Sequence, residues 1–416
     1  MALFPLNSAF SRVTALASLR PVHAAFSWFH GNPGKIMDWQ VELVSIPAPP
    51  FGETARSVWL AARFAEAGLS EVHTDVVGNV FGYLPAAKLP PESTGPVVVI
   101  SAHLDTVFPA ETPLNPVVDG DRLQAPGACD NGAGVVGLLA IVHALVQARA
   151  ELPAPLIFMG NVGEEGEGDL RGMRHLYDQA PLAGRIAAHI VLDGAGADSA
   201  VTQALGSKRY QVVINGPGGH SFTDAGTPNP IAALASALAV LAETSLPEAP
   251  RTTLNLGTIH GGTSVNSIPE SAQASIDFRS TSAEQLLRLE VALHRAVEDA
   301  VGHWNASATA RDRGLLSFTI TKIGDRPAAS LPGDSPLLDT LRAVDRHLNL
   351  KTYLRLGSTD ANIPLSVGIQ AVSIGAGGDG GGAHTQAEWY SAKNREAGLR
   401  RALLLALAMI EWAAEQ

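Results

Sequence analysis

Most residues that could perform chemistry lie in five short segments at the ends of predicted strands. In an open parallel sheet, the loops leaving the carboxyl ends of the strands meet in one crevice, so residues distant in sequence can come together there. The segments are 101–106, 128–132, 163–166, 191–194 and 382–385. They contain two histidines and several carboxylates, and they therefore predict one shared site of nitrogen and oxygen ligands.

A ligand set of imidazoles and carboxylates suits zinc, manganese or cobalt. It does not suit a cuprous ion or an iron–sulfur cluster, because Cys129 is the only cysteine in the chain. A carboxylate has two oxygens and can bridge two metals roughly 3.5–4 Å apart, the spacing used by two-metal hydrolases. Asp130 is the best candidate for such a bridge.

Two local patterns indicate how the site is supported. His103 and Asp105 occupy alternate positions, so in an extended chain the Asp105 side chain can accept the imidazole N–H that is not used for metal. In the Glu164–Glu165 pair, one carboxylate can bind metal while the other takes a proton from water. The alternative for this pair is a solvated acidic turn. For the glycine run 375–382 the alternative is a phosphate loop, but the run lacks the expected Lys and following helix.

Composition limits the class of protein. The 416 residues are 46% hydrophobic and carry a formal charge of −11, which indicates a folded chain and disfavours a nucleic-acid surface. No stretch reaches the ~20 apolar residues of a membrane span. The single cysteine favours a reducing, cytoplasmic location. Near the N-terminus, apolar residues at helical spacing favour an amphipathic helix over a cleaved signal.

The elements that must position these residues read as an α/β fold. Apolar strands over 96–100, 155–159 and 187–192 alternate with helical patterns such as 132–146, which predicts a mostly parallel sheet flanked by helices. From residue 209 the order changes to βαββαβ, a two-layer unit that can stand alone. We therefore predict a discontinuous catalytic domain, 1–208 and 326–416, with an inserted lid or dimerisation domain at 209–325.

Taken together and in this order, the motifs resemble those of the dinuclear-metal peptidase and amidohydrolase family M20. This family includes tripeptidase T, carboxypeptidase G2, acetylornithine deacetylase and succinyl-diaminopimelate desuccinylase. The similarity extends from about Trp39 to the C-terminus. The matching strings are HLDTV at 103–107, DNGAG at 130–134, EEG at 164–166, LDG at 192–194 and GAHT at 382–385.

The resemblance implies two divalent metal ions, with zinc favoured and manganese or cobalt as alternatives. It also implies a role for each matching residue. These are Asp130 as the bridge, His103 and Asp193 at one metal, Glu165 and His384 at the other, Glu164 as the general base, and Asp105 as the residue that orients His103.

The inserted domain carries further matches to the family. His220, in the string GPGGHS, resembles a histidine that reaches a neighbouring active site across a dimer and polarises the scissile carbonyl. Asn266 and Arg279 match residues that hold the carboxylate end of the substrate, for which a guanidinium is well suited. The resemblance thus implies a homodimer formed through the lid. The alternatives are turn residues for His220 and Asn266, and an exposed strand charge for Arg279.

The predicted function is hydrolysis of an amide bond in short peptides, of the dipeptidase, tripeptidase or aminopeptidase type, by a water that Glu164 activates. Asp193 favours this reaction, because relatives that remove acyl groups tend to carry Glu there. The first alternative is an N-acyl-amino-acid deacylase, and a remote one is a non-catalytic metal-dependent binding protein. Asn131 departs from the pattern, since many peptidase relatives carry Asp at that position.

Overall fold

The computed structural model describes residues 8–85, 95–180 and 182–416. The chain divides into two units. One is formed by residues up to Ala204 and from Ser330 onward, and the other is Leu205–Ala329. The boundaries predicted from sequence, 209 and 325, lie four residues inside the second unit at each end.

The first part of the chain supplies most of the large sheet and the helices that cover it. Its elements are α1 (Ala9–Ala17), α2 (Arg20–Gly31), α3 (Pro33–Val44), α4 (Thr54–Ala67), β1 (Ser70–Thr74), β2 (Val80–Leu84), β3 (Val97–His103), β4 (Val117–Asp119), β5 (Arg122–Gln124), α5 (Gly132–Gln147), β6 (Leu156–Asn161), α6 (Arg171–Asp178), β7 (Ile186–Leu192) and β8 (Ser199–Ala204).

The second unit follows directly, and the chain then returns to the first. The elements of the second unit are β9 (Gly206–Asn215), β10 (Gly219–His220), α7 (Pro230–Ala242), β11 (Thr252–Gly261), β12 (Ser267–Ile268), β13 (Ser271–Ser280), α8 (Ala283–Ser307) and β14 (Ser317–Arg326). The returning elements are β15 (Ala329–Ser330), α9 (Pro336–His347), β16 (Tyr353–Gly357), α10 (Asn362–Ser366), β17 (Gln370–Ile374), β18 (Asp379–Gly381), β19 (Trp389–Ser391) and α11 (Arg395–Ala414).

The large sheet has the strand order β1-β2-β6-β3-β7-β17-β8-β15, with β16 beside β8. Its centre, β6-β3-β7-β17, is parallel. Strands β3 and β6 are buried along their whole length, because α5 and α11 pack on one face and α6 contributes to a core on the other. These strands read as unbroken apolar runs for that reason, and the predicted α/β class is confirmed.

Several strands were not predicted from sequence. Strands β1 and β2 form an antiparallel edge, and the short strands β18-β19-β5-β4 make a separate small sheet. Strand β1 is mostly exposed and carries polar residues, and β4 is exposed and only three residues long, so neither presents the apolar run that marked the central strands. No helix in the described parts of the chain is both long and apolar enough to cross a membrane.

The second unit is a four-stranded antiparallel sheet with two helices packed on it. The strand order is β11-β13-β9-β14. Helices α7 and α8 pack on each other and on the sheet, around a core that includes Tyr210, Ile214, Leu234, Phe278 and Val297. The predicted βαββαβ order is present, with one addition: β10 and β12 form a short antiparallel pair of their own.

Candidate metal centre

The end of β3 brings His103 and Asp105 into the interior, where both side chains are buried. The Nδ1 atom of His103 lies 3.1 Å from the backbone oxygen of Asp105 and 3.6 Å from its Oδ1 atom. The Asp105 carboxylate accepts hydrogen bonds from the backbone N–H groups of Glu164, at 3.0 Å, and Glu165, at 2.7 Å. This carboxylate therefore fixes the 164–165 backbone, and the hydrogen bond that orients His103 comes mainly from the Asp105 carbonyl.

Asp130 lies between the two histidines of the candidate site. Its Oδ1 atom is 3.1 Å from Nε2 of His103, and its Oδ2 atom is 3.0 Å from Nε2 of His384. Asp193 Oδ1 lies 3.8 Å from His103 Nε2, and Glu165 Oε1 lies 3.1 Å from His384 Nε2. Each oxygen of one carboxylate therefore faces a different imidazole.

The potential ligand atoms form overlapping groups whose members lie within 4.8 Å of one another. One group is His103, Asp130 and Asp193, and a second is Asp130, Glu165 and His384. Asp130 belongs to both. A third group joins His103 to Glu164 and Glu165, so the neighbouring carboxylate also faces the site. The structure thus brings together the predicted site residues that lie in the first unit.

The electrostatics of this cluster reflect many acidic groups in little solvent. Burial, reinforced by the charge of Glu164, raises the pKa of Glu165 to about 8. Hydrogen bonding to Asp130 is the main cause that raises the pKa of His384 to about 9. Burial disfavours the charged form of His103, but the nearby carboxylates of Asp105, Asp130 and Asp193 outweigh it and raise its pKa well above the ordinary value. Burial and the neighbouring charges thus favour the protonated form of Glu165, and the surrounding carboxylates favour the protonated forms of the two histidines.

The residues fit a pair of divalent cations. Each group offers one imidazole nitrogen and carboxylate oxygens, the donor set preferred by zinc and tolerated by manganese and cobalt. In the neutral ring, the hydrogen bond between His103 Nδ1 and the Asp105 carbonyl places the proton on Nδ1, which makes Nε2 the nitrogen that can bind a cation, and Nε2 is the atom that faces Asp130 and Asp193.

Asn131 supports the centre in a way that sequence reasoning did not foresee. Its Oδ1 atom accepts from the backbone N–H groups of Gly134 and Gly194, and its Nδ2 atom donates to the carbonyl of Leu192 at 2.9 Å. The side chain thus caps α5 and ties the segment of Asp130 to the end of β7. An aspartate could accept these bonds but could not donate to Leu192. The available signal was Asn at a helix N-cap.

The glycine run 375–382 is explained by close packing. A Cβ atom on Gly380 would lie 2.4 Å from the sulfur of Cys129, and one on Gly377 would lie 2.1 Å from the carbonyl oxygen of Arg395. Gly382 has φ 70° and is followed two residues later by His384 at φ 64°. The run brings the segment of His384 close to the neighbouring backbone, which side chains at these positions would prevent.

The three residues predicted from the inserted domain lie in the second unit, at two separate places. His220 on β10 pairs with Ser267 beside Asn266, and the backbone N–H of Ser221 donates to the Asn266 carbonyl. Arg279 lies near the other end of β13, where its Nε donates to Asp277 at 2.7 Å. The eight residue-to-residue steps from Ser271 to Arg279 along β13 span roughly 25 Å. Asn266 therefore lies near one end of this sheet and Arg279 near the other.

Comparison with known proteins identifies the group of sequences to which this arrangement belongs. The profile of peptidase family M20/M25/M40 matches residues 99–409, which include all five segments of the site. A probable carboxypeptidase of Aspergillus oryzae is 25% identical over 63% of this chain and 64% of its own. A succinyl-diaminopimelate desuccinylase of Xanthomonas campestris is 29% identical over 68% of this chain and 76% of its own.

The solved structure of the aminopeptidase PepT from Bacillus cereus has the same fold. It superposes with a TM-score of 0.71 over 91% of this chain and 99% of its own, at 19% identity. Among the first curated carboxypeptidases that it matches, the chain spans about half to two thirds of their length.

Proposed function

The chain belongs to the peptidase family M20/M25/M40, and we propose on that premise that it is a metal-dependent hydrolase of amide bonds in short peptides. The observation that carries the proposal is the position of Asp130, whose two oxygens face the Nε2 atoms of His103 and His384 at 3.1 and 3.0 Å. A carboxylate held between two imidazoles, with further carboxylates beside each, is the arrangement needed to hold two cations next to each other.

The proposed centre uses five ligands. His103 and Asp193 would hold one ion, Glu165 and His384 would hold the other, and Asp130 would be shared by both. Zinc is the favoured metal, with manganese and cobalt as alternatives. When bound, two such ions lower the pKa of a water toward ~7 and polarise the carbonyl group of the scissile amide.

Glu164 is the proposed general base. Its side chain is buried, and its backbone is held by the Asp105 carboxylate. A carboxylate oxygen of Glu164 accepts the proton that the attacking water loses, and it then donates this proton to the nitrogen of the leaving amine. Because Asp105 binds the N–H groups of both Glu164 and Glu165, it sets the base and a metal ligand in one geometry.

A peptide substrate is the first hypothesis, and an N-acyl amino acid is the second. Asp193 favours peptides, whereas the similarity to a succinyl-diaminopimelate desuccinylase supports the second hypothesis. Both substrates present an amide bond next to a carboxylate, which the Arg279 guanidinium is suited to bind.

We further propose that two copies associate through the second unit. Strand β11 is an unpaired edge of its sheet and exposes Leu256 and Ile259, an arrangement that can pair with a second copy. The separation of Asn266 from Arg279 supports the same proposal, because residues at opposite ends of one sheet can reach one substrate only if a second copy supplies part of the site. The unpaired Cys129 is consistent with a cytoplasmic location.

The experiment that tests the proposed function is a matched substrate panel. The protein is loaded with zinc, manganese or cobalt and assayed for amine release from di- and tripeptides and from the corresponding N-acetyl and N-succinyl amino acids. We expect cleavage of free peptides, and none after removal of the metal by a chelator. Cleavage of acylated amino acids alone would favour the deacylase, and no cleavage with any metal would contradict a hydrolase.

A further inference from the structure

Glu388 lies four residues after His384, and its carboxylate contacts the backbone around Asp130. Glu388 is fully buried, and its two oxygens accept three backbone N–H groups. Oε2 accepts from Gly127 at 2.8 Å, and Oε1 accepts from Cys129 at 2.8 Å and from Asp130 at 2.7 Å. The donors and the acceptor are about 260 positions apart in the chain, so this contact joins two distant segments.

Burying a carboxylate to satisfy three backbone amides carries a cost in free energy. Removing a carboxylate from water is costly, and neutral groups or water could cap the same N–H groups. Charged acceptors form shorter and stronger hydrogen bonds than neutral ones, and a carboxylate with two fixed oxygens also imposes a geometry. Arg56, which is also buried, interacts electrostatically with Glu388 and helps to keep the charge inside.

The segment that carries Glu388 is itself held at both ends. The backbone N–H of Glu388 donates to the Thr385 carbonyl at 3.1 Å. The backbone N–H of Thr385 donates to the Gly382 carbonyl at 3.0 Å, which closes the turn around His384. The carbonyl of Glu388 accepts from Ala125, and β19, which begins at the next residue, pairs with β5. The carboxylate therefore extends from a fixed backbone.

His384 needs such support. Its side chain is 55% exposed, and its backbone has φ 64°, a conformation that non-glycine residues rarely adopt. Because the imidazole is largely exposed, packing alone does not fix its position, yet its Nε2 lies 3.0 Å from Asp130 and 3.1 Å from Glu165. The position of His384 relative to Asp130 therefore depends on the backbone, and the Glu388 side chain joins these two segments.

We propose that Glu388 is a positioning residue of the metal centre: its carboxylate holds the backbone of Asp130 against the segment of His384 and so sets the spacing of these two ligands. The inference rests on the proposed metal centre. It predicts that removing the carboxylate weakens metal binding even where the fold is kept, because the two ligands no longer share one fixed frame.

The test compares Glu388→Gln and Glu388→Asp with a matched control, Asp345→Asn. Glutamine keeps one acceptor oxygen, but its NH₂ group faces one of the three backbone N–H donors. Aspartate keeps both oxygens and the charge on a shorter side chain. Asp345 is also a buried carboxylate of the first unit, and it accepts from Arg401 through both oxygens at 2.7 and 2.8 Å, away from the candidate ligands.

Zinc binding is measured by competition with a chromophoric chelator, cobalt binding by visible absorption, and stability by thermal unfolding. For Glu388→Gln we expect the weaker of the two zinc constants to fall by about 10–100-fold, with an altered cobalt spectrum. Glu388→Asp should recover part of this loss. Asp345→Asn should lower the unfolding temperature while both zinc constants stay within about twofold of wild type.

Unchanged zinc constants and cobalt spectrum in Glu388→Gln would overturn the inference, as would an equal loss of zinc affinity in Asp345→Asn. If Glu388→Gln does not fold, Glu388→Asp decides: wild-type zinc constants and cobalt spectrum in this variant overturn the inference, and weaker binding in the folded protein supports it. Wild-type protein that binds no zinc would instead refute the proposed metal centre itself.

Discussion

His189 offers a sharp test of how the central sheet tolerates buried polar groups. It lies on β7, fully buried, with Nδ1 2.8 Å from the hydroxyl of Tyr177 and Nε2 2.9 Å from the hydroxyl of Ser101. Both ring nitrogens thus have neutral partners. Burial lowers the pKa of His189 from its ordinary 6.5 to about 3. The folded protein therefore holds this side chain neutral under conditions in which an unfolded chain would protonate it.

The sign and size of the effect follow from linkage. Because the folded pKa is depressed, the contribution of His189 to stability is complete above its ordinary pKa of 6.5 and is lost progressively as the pH falls toward 3. One pH unit corresponds to about 1.4 kcal/mol, so moving from about pH 7.5 to about pH 5 should remove about 2 kcal/mol from the free energy of unfolding. The substitution His189→Gln removes the titrating group and should remove this part of the pH dependence.

The assay is urea unfolding followed by circular dichroism at several pH values, with a chelator present so that metal binding does not contribute. Wild type should lose about 2 kcal/mol more than His189→Gln between about pH 7.5 and about pH 5. The exposed His23 provides the control, and His23→Gln should follow the wild-type curve. Parallel curves for wild type and His189→Gln would show that His189 protonates in the folded protein, and they would refute the reasoning.

Four further predictions concern the site. Glu164→Gln should lower turnover by about 10²–10⁴-fold with metal content unchanged by elemental analysis, and a mild loss would mean that another group is the base. His384→Ala should lose one of two metal equivalents, so full stoichiometry would argue against its ligation. His220→Ala should lower turnover and keep both ions, while unaffected kinetics would leave it a turn residue. Asn131→Asp should cost about 1–3 kcal/mol in unfolding, because no donor then reaches the Leu192 carbonyl, and an unchanged unfolding temperature would count against this contact.

The large sheet could be predicted from sequence because strands that are buried on both faces appear in the sequence as apolar runs. Strands β3, β6 and β7 are covered on both faces, so most positions along them are apolar or small. The candidate ligands His103 and Asp193 come at or just after the ends of such strands, and their convergence therefore followed from the topology. The edge strands show no comparable sequence pattern, because exposed positions on β1 and β16 accept many residue types.

Contacts between distant segments could not be predicted from the sequence. The Asp105 carboxylate binds N–H groups of residues 59 and 60 positions later, and the Glu388 carboxylate binds N–H groups as far as 261 positions earlier. Nothing local to Asp105 or Glu388 marks these partners. The resemblance also predicted roles for His220, Asn266 and Arg279 but not their positions in space. Only the sheet register reveals that Arg279 lies far from the other two.

The strand order has a consequence for synthesis of the protein. Strand β17 lies between β7 and β8, yet it is made some 165 residues after β8, once the whole of Leu205–Ala329 has been synthesised. The nascent first half must therefore wait with a gap in its main sheet, exposing apolar edges that invite wrong partners. The inserted unit has its own core and can fold during that interval. Strand β17 and His384 are only ten residues apart in the chain, so closure of the sheet and arrival of His384 occur almost together, and the candidate ligands meet only after the inserted unit has been made.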